Sequence, residues 1–191
     1  MAKLADKQEL VDVATALFRQ KGYSATSVSD IVAACGISKG SLYHHFDSKE
    51  ALAVAALNRV SEYFRRELFS LVLDAPQAGA AELAAFNQAV EVFFSQHPDG
   101  CLLANLSLEL AAPTSLFQPC IQAFFAQWAE VYACVFRPLY PEQQAQQMAD
   151  DALASVHGGI LLQRIRGSMA SLQRQHAHLL QLATGTHNEL C

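Results

Sequence analysis

Polar side chains and one cation lie close together in the sequence between residues 38 and 46 of this 191-residue chain. An ammonium group, a hydroxyl, a phenol and an imidazole can bond phosphate oxygens or the edges of bases. A glycine among them lets a partner approach the backbone closely. This pattern indicates recognition of a phosphate-bearing partner. The residues concerned are Lys39, Gly40, Ser41, Tyr43 and His44.

Two short helical patterns would position these side chains. Ser27 and Asp30 have the spacing of a capping box, which predicts a helix that runs to about Ala34. Gly36 then supplies a turn, and Ser38 can cap a second helix that carries the polar residues. A helix–turn–helix of this kind places its second helix in the major groove of DNA. We therefore expect the partner to be double-stranded DNA.

The starts of the neighbouring helices add further expected contacts. Leu42 and Phe46 lie four residues apart and would face the core, which leaves the polar side chains of the second helix outward. The first turn of a helix presents N–H groups that suit a phosphate. Additional DNA contacts are therefore predicted at Thr26, Ser27 and Lys49.

The charge distribution agrees with DNA binding near the N-terminus. The chain carries a net charge of −5, which by itself would oppose binding to nucleic acid. Residues 1–66, however, hold nine Lys and Arg against seven Asp and Glu, whereas residues 67–191 hold four against eleven. The placement of the cations thus favours the N-terminal part as the DNA-binding part.

Hydrophobic periodicity predicts an all-α chain of about nine helices. An N-terminal helix–turn–helix domain is expected over residues 1–48 and a larger helical domain over 49–191, with a long connecting helix at about 48–72. The break at residues 75–79, which contains Pro76 and Gly79, ends that long helix. The predicted helices span 4–21, 27–34, 38–45, 48–72, 80–96, 101–112, 115–137, 142–166 and 168–184.

The residues from Phe18 to Ile31, from Cys35 to Phe46 and from Ser48 to Leu52 resemble the N-terminal domain of bacterial TetR-type (TetR/AcrR) transcriptional regulators. The resemblance covers roughly residues 6–60. It implies a repressor that binds a near-palindromic operator as a homodimer and is released by a small molecule. It also implies that residues 49–191 form an effector-binding and dimerisation domain. The DNA contacts usual in that family map onto Thr26, Ser27, Lys39, Gly40, Ser41, Tyr43, His44 and Lys49.

The C-terminal half resembles the family less specifically. Residues 100–110 are similar to a segment of one branch of these regulators, and residues 152–164 are similar to their dimer-forming penultimate helix. Helices 142–166 and 168–184 are expected to form a four-helix bundle between two protomers. The apolar residues expected to form it are Met148, Ala152, Val156, Gly159, Ile160, Leu162, Leu172, Leu179, Leu180 and Leu182.

Large apolar side chains with a few interleaved polar groups are frequent over residues 80–166. Such a mixture is typical of a site for a drug-sized ligand, although aromatic residues at helical spacing also form ordinary cores. The expected effector is a small molecule that is mostly hydrophobic or aromatic. The predicted ligand-binding residues are Phe86, Phe93, Leu103, Asn105, Phe124, Trp128 and His157.

Cys101 suggests an alternative. It follows residues 98–100 and would open a helix, whose dipole can lower the pKa of a thiol. A repressor that responds to oxidants or electrophiles through Cys101 is therefore a second hypothesis. The simpler interpretation is that Cys101 is a small buried residue that allows tight packing. The five cysteines are scattered and contain no C-x-x-C pair, which indicates a reducing cytoplasm.

Other functional classes find less support. An architectural DNA-binding protein without an effector would share the same N-terminal pattern. An enzyme is not expected, because the sequence lacks a glycine-rich phosphate loop, paired catalytic carboxylates and a nucleophile–base set. Neither a metal site nor a cofactor is expected. Two pairs of candidate metal ligands occur, His97 with Cys101 and His176 with His178, but neither pair has a third or fourth ligand at suitable spacing. The sequence contains no run of 18 uncharged apolar residues, so a membrane span is not expected.

Overall fold

The structure is a computed structural model that describes residues 6–109 and 116–185. These residues form nine helices and no strand, which confirms the all-α prediction. No helix within them is both long and apolar enough to cross a membrane. The helices are α1 (Lys7–Lys21), α2 (Val28–Cys35), α3 (Lys39–His45), α4 (Lys49–Tyr63, continuing through Phe64–Phe69 and Ser70–Leu73), α5 (Ala80–Gln96), α6 (Leu102–Glu109), α7 (Gln118–Phe136), α8 (Glu142–Arg166) and α9 (Ala170–Ala183).

The helix ends follow local capping chemistry. Helix α1 begins three residues later than predicted because the side chain of Asp6 accepts a hydrogen bond from the Gln8 N–H at 3.2 Å and caps the helix. Helix α8 ends where predicted, at Gly167, whose φ of 65° favours glycine. The predicted end of the helix over 101–112 and the predicted start of the helix at 115 lie outside the described residues.

The chain divides into two compact units that are each built from two stretches of sequence. The first comprises the residues up to Glu62 together with Cys101–Ala123, and the second comprises Tyr63–Gly100 and the residues from Phe124 onward. The predicted boundary at residues 48–49 therefore falls inside the first unit. Helix α6 belongs with α1 to α3, although it follows them by more than fifty residues.

The core of the first unit holds the three N-terminal helices in place. Leu10 and Phe18 of α1, Ile31 of α2, Leu42 of α3 and Leu52 of α4 are completely buried. Burial of each such side chain contributes about 1.5–3 kcal/mol relative to exposure. The predicted inward orientation of Leu42 is thus confirmed, and it fixes which face of α3 remains outside.

The second unit is built around α5, α8 and α9. A Cβ added at Gly159 would lie 2.8 Å from the Cα of Leu172, so glycine permits the close approach of α8 and α9. Most of the apolar residues predicted for the dimer bundle are consequently buried already within one chain, and the bundle between two protomers stays a prediction. The buried ones are Ala152, Val156, Gly159, Ile160, Leu172 and Leu179.

Helix α4 changes its winding in the middle. Residues Phe64–Phe69 form a π-helical stretch, in which hydrogen bonds join residues five apart. In a regular α-helix, two residues five apart would point roughly 140° from each other. Here the rings of Phe64 and Phe69 lie on one side with their centroids 5.7 Å apart. The π stretch therefore adds two aromatic rings, rather than one, to the core of the second unit.

Candidate DNA-binding surface and effector site

The start of α2 is closed by the predicted capping box. The Oγ of Ser27 accepts a hydrogen bond from the Asp30 N–H at 3.1 Å, and the Asp30 carboxylate accepts one from the Ser27 N–H at 2.8 Å. The Ser27 hydroxyl also donates to that carboxylate at 2.6 Å, and these bonds hold the pKa of Asp30 below its usual range. The hydroxyl proton of Ser27 is thus used inside the cap. A phosphate at this helix start would bind through backbone N–H groups of the first turn.

Helix α3 presents most of the predicted DNA-binding side chains to solvent. Its first turn is capped by Ser38, whose Oγ accepts a hydrogen bond from the Ser41 N–H at 3.2 Å. With Leu42 buried beneath, the opposite face of the helix carries four exposed residues, and Tyr43 keeps 49% of its surface accessible. Those four residues are Lys39, Gly40, Tyr43 and His44.

Ser41 differs from its neighbours on α3. The residue is half-buried, and its Oγ is shielded from solvent with no hydrogen-bond partner among the described residues. The side chain must change rotamer before the hydroxyl can donate to a base or phosphate. Its contact with DNA stays a prediction.

Thr26 and Lys49 brace the loop before α2 instead of projecting from it. Thr26 is completely buried and its hydroxyl donates to the Gly22 carbonyl at 2.7 Å. The Nζ of Lys49 donates to the carbonyls of Tyr23 and Thr26 at 2.9 and 3.0 Å, and it lies 4.0 Å from the centre of the Tyr23 ring. Both residues therefore fix the loop in this structure, and their direct contact with phosphate stays a prediction.

Glu109, at the end of α6, holds the same loop from its other side. Its Oε1 accepts a hydrogen bond from the Tyr23 N–H at 3.1 Å, and its Oε2 accepts one from the Ser24 N–H at 2.8 Å. The Tyr23 hydroxyl donates to Glu50 at 2.8 Å, and burial together with that carboxylate raises the Tyr23 pKa. Sequence reasoning missed this clamp, because no local pattern relates residue 109 to residues 23 and 24.

Five of the seven predicted effector residues share one aromatic cluster in the second unit. The Trp128 ring lies 6.1 Å from Phe86, 5.7 Å from Phe124 and 4.6 Å from His157, centre to centre. Phe64 links Phe93 to this group, at 4.7 Å from Phe93 and 5.4 Å from Trp128. Phe64 and Phe69 join the cluster through the π stretch, which hydrophobic periodicity did not predict.

His157 is the polar member of this cluster. Its Nδ1 lies 3.1 Å from the carbonyl oxygen of Leu153, and its ring packs against Phe125 and Trp128. The residue as a whole keeps some exposure, but Nε2 itself is buried and has no hydrogen-bond partner among the described residues. Burial lowers the pKa of His157 to about 4, so the ring is neutral near pH 7.

The remaining predicted site residues lie on or beside α6, in the first unit. Leu103 is completely buried, and the Asn105 N–H donates to the carbonyl of Cys101 at 2.9 Å. The role of Leu103 and Asn105 in the effector site stays a prediction. Burial raises the pKa of the Cys101 thiol more than the backbone N–H groups of Leu103 and Ala104 lower it. The expectation of a lowered pKa at Cys101 is therefore wrong, because the helix start is buried.

The histidines considered as metal ligands are engaged elsewhere. His176 is buried, and its Nδ1 lies 2.7 Å from a carboxylate oxygen of Glu91, whereas His178 is exposed. His97 stacks on Phe93 at 4.2 Å. Across residues 6–109 and 116–185, no group of three or more His, Cys, Asp or Glu side chains could hold a metal ion.

The comparisons with known proteins cover both parts of the chain. Residues 10–56 match the family model described as bacterial regulatory proteins, tetR family, and residues 80–178 match the C-terminal domain of LmrA/YxaF-like transcriptional regulators. The chain is 31% identical over 185 residues to the HTH-type transcriptional repressor DhaR of Mycobacterium sp. (strain GP1), covering 91% of this chain and 90% of DhaR. It is 32% identical over 164 residues to the HTH-type transcriptional regulator LmrA of Bacillus subtilis (strain 168), covering 82% of this chain and 85% of LmrA.

A solved structure supports the same assignment. The TetR transcriptional regulator from Legionella pneumophila superposes with a TM-score of 0.83 at 25% identity, covering 94% of this chain and 97% of that one. Its likeness extends over both units. The chain belongs to the TetR family of DNA-binding transcriptional regulators.

Proposed function

We propose that this protein is a ligand-responsive transcriptional repressor. As a homodimer it would bind a near-palindromic operator, and a small, mostly hydrophobic effector would release it. The observation that carries the proposal is the exposed polar face of α3, which is backed by the buried Leu42 and positioned by the capped helix α2.

The proposed DNA contacts divide into two kinds. Lys39, Tyr43 and His44 are exposed on α3 and would reach bases or phosphates directly, while Gly40 lets the backbone approach. The other predicted residues would contribute through the loop and helix start that they hold, or after a rotamer change. These are Thr26, Ser27, Ser41 and Lys49.

A dimer is supported by the outer face of α8. Ala154, Gly158, Leu161 and Ile165 recur at helical spacing and are exposed, with 56% of Leu161 and 68% of Ile165 accessible. Open space surrounds Gly158, so another helix could approach closely there. Exposed aliphatic side chains next to small residues are typical of a helix that packs against a partner protomer.

The effector is proposed to bind at the aromatic cluster around Trp128. This cluster supplies large apolar rings and a buried polar atom, Nε2 of His157, that has no hydrogen-bond partner among the described residues, a combination that suits a drug-sized ligand. DhaR and LmrA are named as regulators, which agrees with a chain that regulates transcription.

Operator binding tests the core of the proposal. Genomic fragments that the purified protein retains would be sequenced, and the recovered site would be measured with Lys39→Ala, Tyr43→Phe and the control Arg174→Ala. Arg174 is an exposed cation on α9, in the second unit. Affinity should fall at least tenfold for Lys39→Ala and remain unchanged for Arg174→Ala. Equal losses, or no enriched palindrome, would contradict the proposal.

Two further measurements test the dimer and the effector. Leu161→Glu should convert a dimer into monomers in sedimentation experiments, and Gln146→Glu on a different exposed face of α8 should not. A thermal-shift screen of small aromatic compounds should find some that stabilise the protein and release the operator. Stable operator binding in the presence of every stabilising compound would favour the architectural alternative.

A further inference from the structure

We propose that the effector site recognises a neutral aromatic compound through one hydrogen-bond donor, an O–H or N–H that donates to Nε2 of His157. The inference rests on the proposed effector site at the Trp128 cluster and specifies its ligand. It assigns His157 as a specificity-determining residue.

The tautomer of His157 follows from its one backbone contact. The Leu153 carbonyl oxygen can only accept, so Nδ1 at 3.1 Å must carry the proton and donate. In the neutral ring, Nε2 then holds a lone pair and acts as an acceptor. The unpartnered atom therefore requires a donor from outside the described residues.

The neighbouring side chains do not supply that donor. The rings facing His157 are Phe125 and Trp128, both on α7. The indole N–H of Trp128 is already used, because it donates to the Tyr132 hydroxyl at 3.2 Å inside the same core. A buried acceptor without a partner has lost its hydrogen bond to water and gained none in return, which is unfavourable. A ligand donor would recover that free energy, which makes the site selective for compounds that carry one.

The same surroundings define the rest of the ligand. Aromatic rings on the Trp128 side favour a flat apolar body, which can stack or pack edge-to-face. A carboxylate would bring its negative charge against the lone pair of Nε2 and would have to be desolvated there. Phenols, anilines and aromatic alcohols fit this description, whereas aromatic acids and simple ethers do not.

The experiment compares two probes of nearly equal shape, para-ethylphenol and its methyl ether para-ethylanisole. Trp128 is the only tryptophan in the sequence and lies against His157, so its fluorescence reports binding at this position, and calorimetry gives the affinities. The variants are His157→Phe, which removes the acceptor, and His157→Gln, which restores one. His97→Phe is the matched control, because His97 also contacts the carbonyl four residues earlier and stacks on a phenylalanine.

The wild-type protein should bind the phenol roughly tenfold more tightly than the ether, the effect of one buried hydrogen bond. His157→Phe should abolish this preference, while His97→Phe should keep it and His157→Gln should keep part of it. Equal binding of both probes to the wild-type protein would overturn the assignment of His157 yet leave an apolar effector site in place. Binding of neither probe, with Trp128 fluorescence also unchanged by the compounds from the thermal-shift screen, would overturn both proposals.

Discussion

The carboxylate of Glu109 lies 3.1 Å from the backbone nitrogen of Tyr23 and accepts its hydrogen bond, with a second bond from Ser24 at 2.8 Å. A charged acceptor on α6 thus fixes the backbone that leads into the DNA-binding helix pair. Lys49 donates to two carbonyls of the same loop, so the loop is held through both its donors and its acceptors. The geometry before α2 therefore depends on two residues far apart in sequence.

Glu109→Ala should loosen this loop and weaken operator binding. Hydrogen bonds to a charged group contribute about 1.5–3 kcal/mol each, and solvent near Ser24 reduces that to about 1–2 kcal/mol for the pair. Amide exchange should accelerate at Tyr23 and Ser24, and Glu109→Gln should give a smaller effect, because its amide keeps one accepting oxygen. Unchanged exchange at both amides in Glu109→Ala would show that the clamp is not formed in solution.

The effect of Gly22→Ala on the free energy of unfolding should depend on the side chain at position 109. A Cβ at Gly22 would lie 2.6 Å from Oε1 of Glu109, and the φ of 89° disfavours any residue with a side chain. We expect a loss of about 2 kcal/mol in the free energy of unfolding, from the clash and the backbone strain together. In the Glu109→Ala background the clash disappears and only the backbone strain remains. A double-mutant cycle from urea unfolding measures the difference, and strict additivity would refute the coupling.

Lys39→Gln should alter the salt dependence of operator binding. An exposed lysine on α3 that contacts one phosphate releases about one counterion when it binds, so the slope of log K against log salt should fall by about one. Arg174→Gln removes an exposed cation from the second unit and should leave the slope unchanged. Fluorescence anisotropy over a range of salt concentrations provides the slopes. A slope that changes equally in both variants would indicate a nonspecific charge effect.

The two adjacent glycines of α8 should respond in opposite directions to alanine. Gly159→Ala places a Cβ 2.8 Å from the backbone of Leu172, and separating α8 from α9 should cost about 1–3 kcal/mol. Gly158→Ala meets open space and gains about 0.5–1 kcal/mol of helix propensity within one protomer. Thermal unfolding should therefore shift down for the first and not for the second. If dimers form through Gly158, sedimentation should show weaker association for Gly158→Ala, even where its protomer is stabilised.

The stability of the protein should decrease as the pH falls from about 6.5 to about 4, in part because of His157. Burial lowers its pKa to about 4 from an ordinary value of 6.5, so the unfolded chain binds a proton in this window before the folded chain does. The contribution is present above pH 6.5 and is lost on acidification, with a slope of up to about 1.4 kcal/mol per pH unit. Urea unfolding at several pH values should show a shallower slope for His157→Phe.

Some pH dependence should remain in that variant, since burial also lowers the pKa of His176 despite its Glu91 partner. The difference between the wild type and His157→Phe isolates the contribution of His157. Equal slopes would mean that Nε2 of His157 reaches water or another donor in solution.

The sequence predicted the features that local chemistry determines. The capping box of Ser27, the turn at Gly36 and the buried position of Leu42 are each encoded within a few residues, and all three are present. The helix ends that lie within the described residues agreed with the prediction to within a few residues for the same reason. The exposed face of α3 followed directly from the burial of the opposite face.

Contacts between distant residues could not be predicted in this way. Nothing near Glu109 shows that its carboxylate reaches Tyr23, and the burial of Cys101, which reverses the expected shift of its pKa, depends on the fold around it. Hydrophobic periodicity identifies the buried face of α8 but not what buries it, so the packing of α9 of the same chain against that face did not follow from the pattern. Five residues predicted for the effector site lie together in the aromatic cluster, and their role in binding an effector stays a prediction. The tautomer of His157 could not be predicted, because it depends on the contact of Nδ1 with the Leu153 carbonyl.

The π stretch of α4 should make this part of the chain tolerant of a change in length. Six residues wound with hydrogen bonds five apart turn the chain about as far as five residues of a regular α-helix, so the stretch accommodates one additional residue. Removing a single amino acid between Phe64 and Phe69 would let the helix return to ordinary winding with its rotational phase preserved, and the two phenylalanines would then lie four residues apart on one face. One deleted codon in the flanking α-helical turns would instead change the phase by roughly 100°, so deletions there should be more damaging than a deletion inside the stretch.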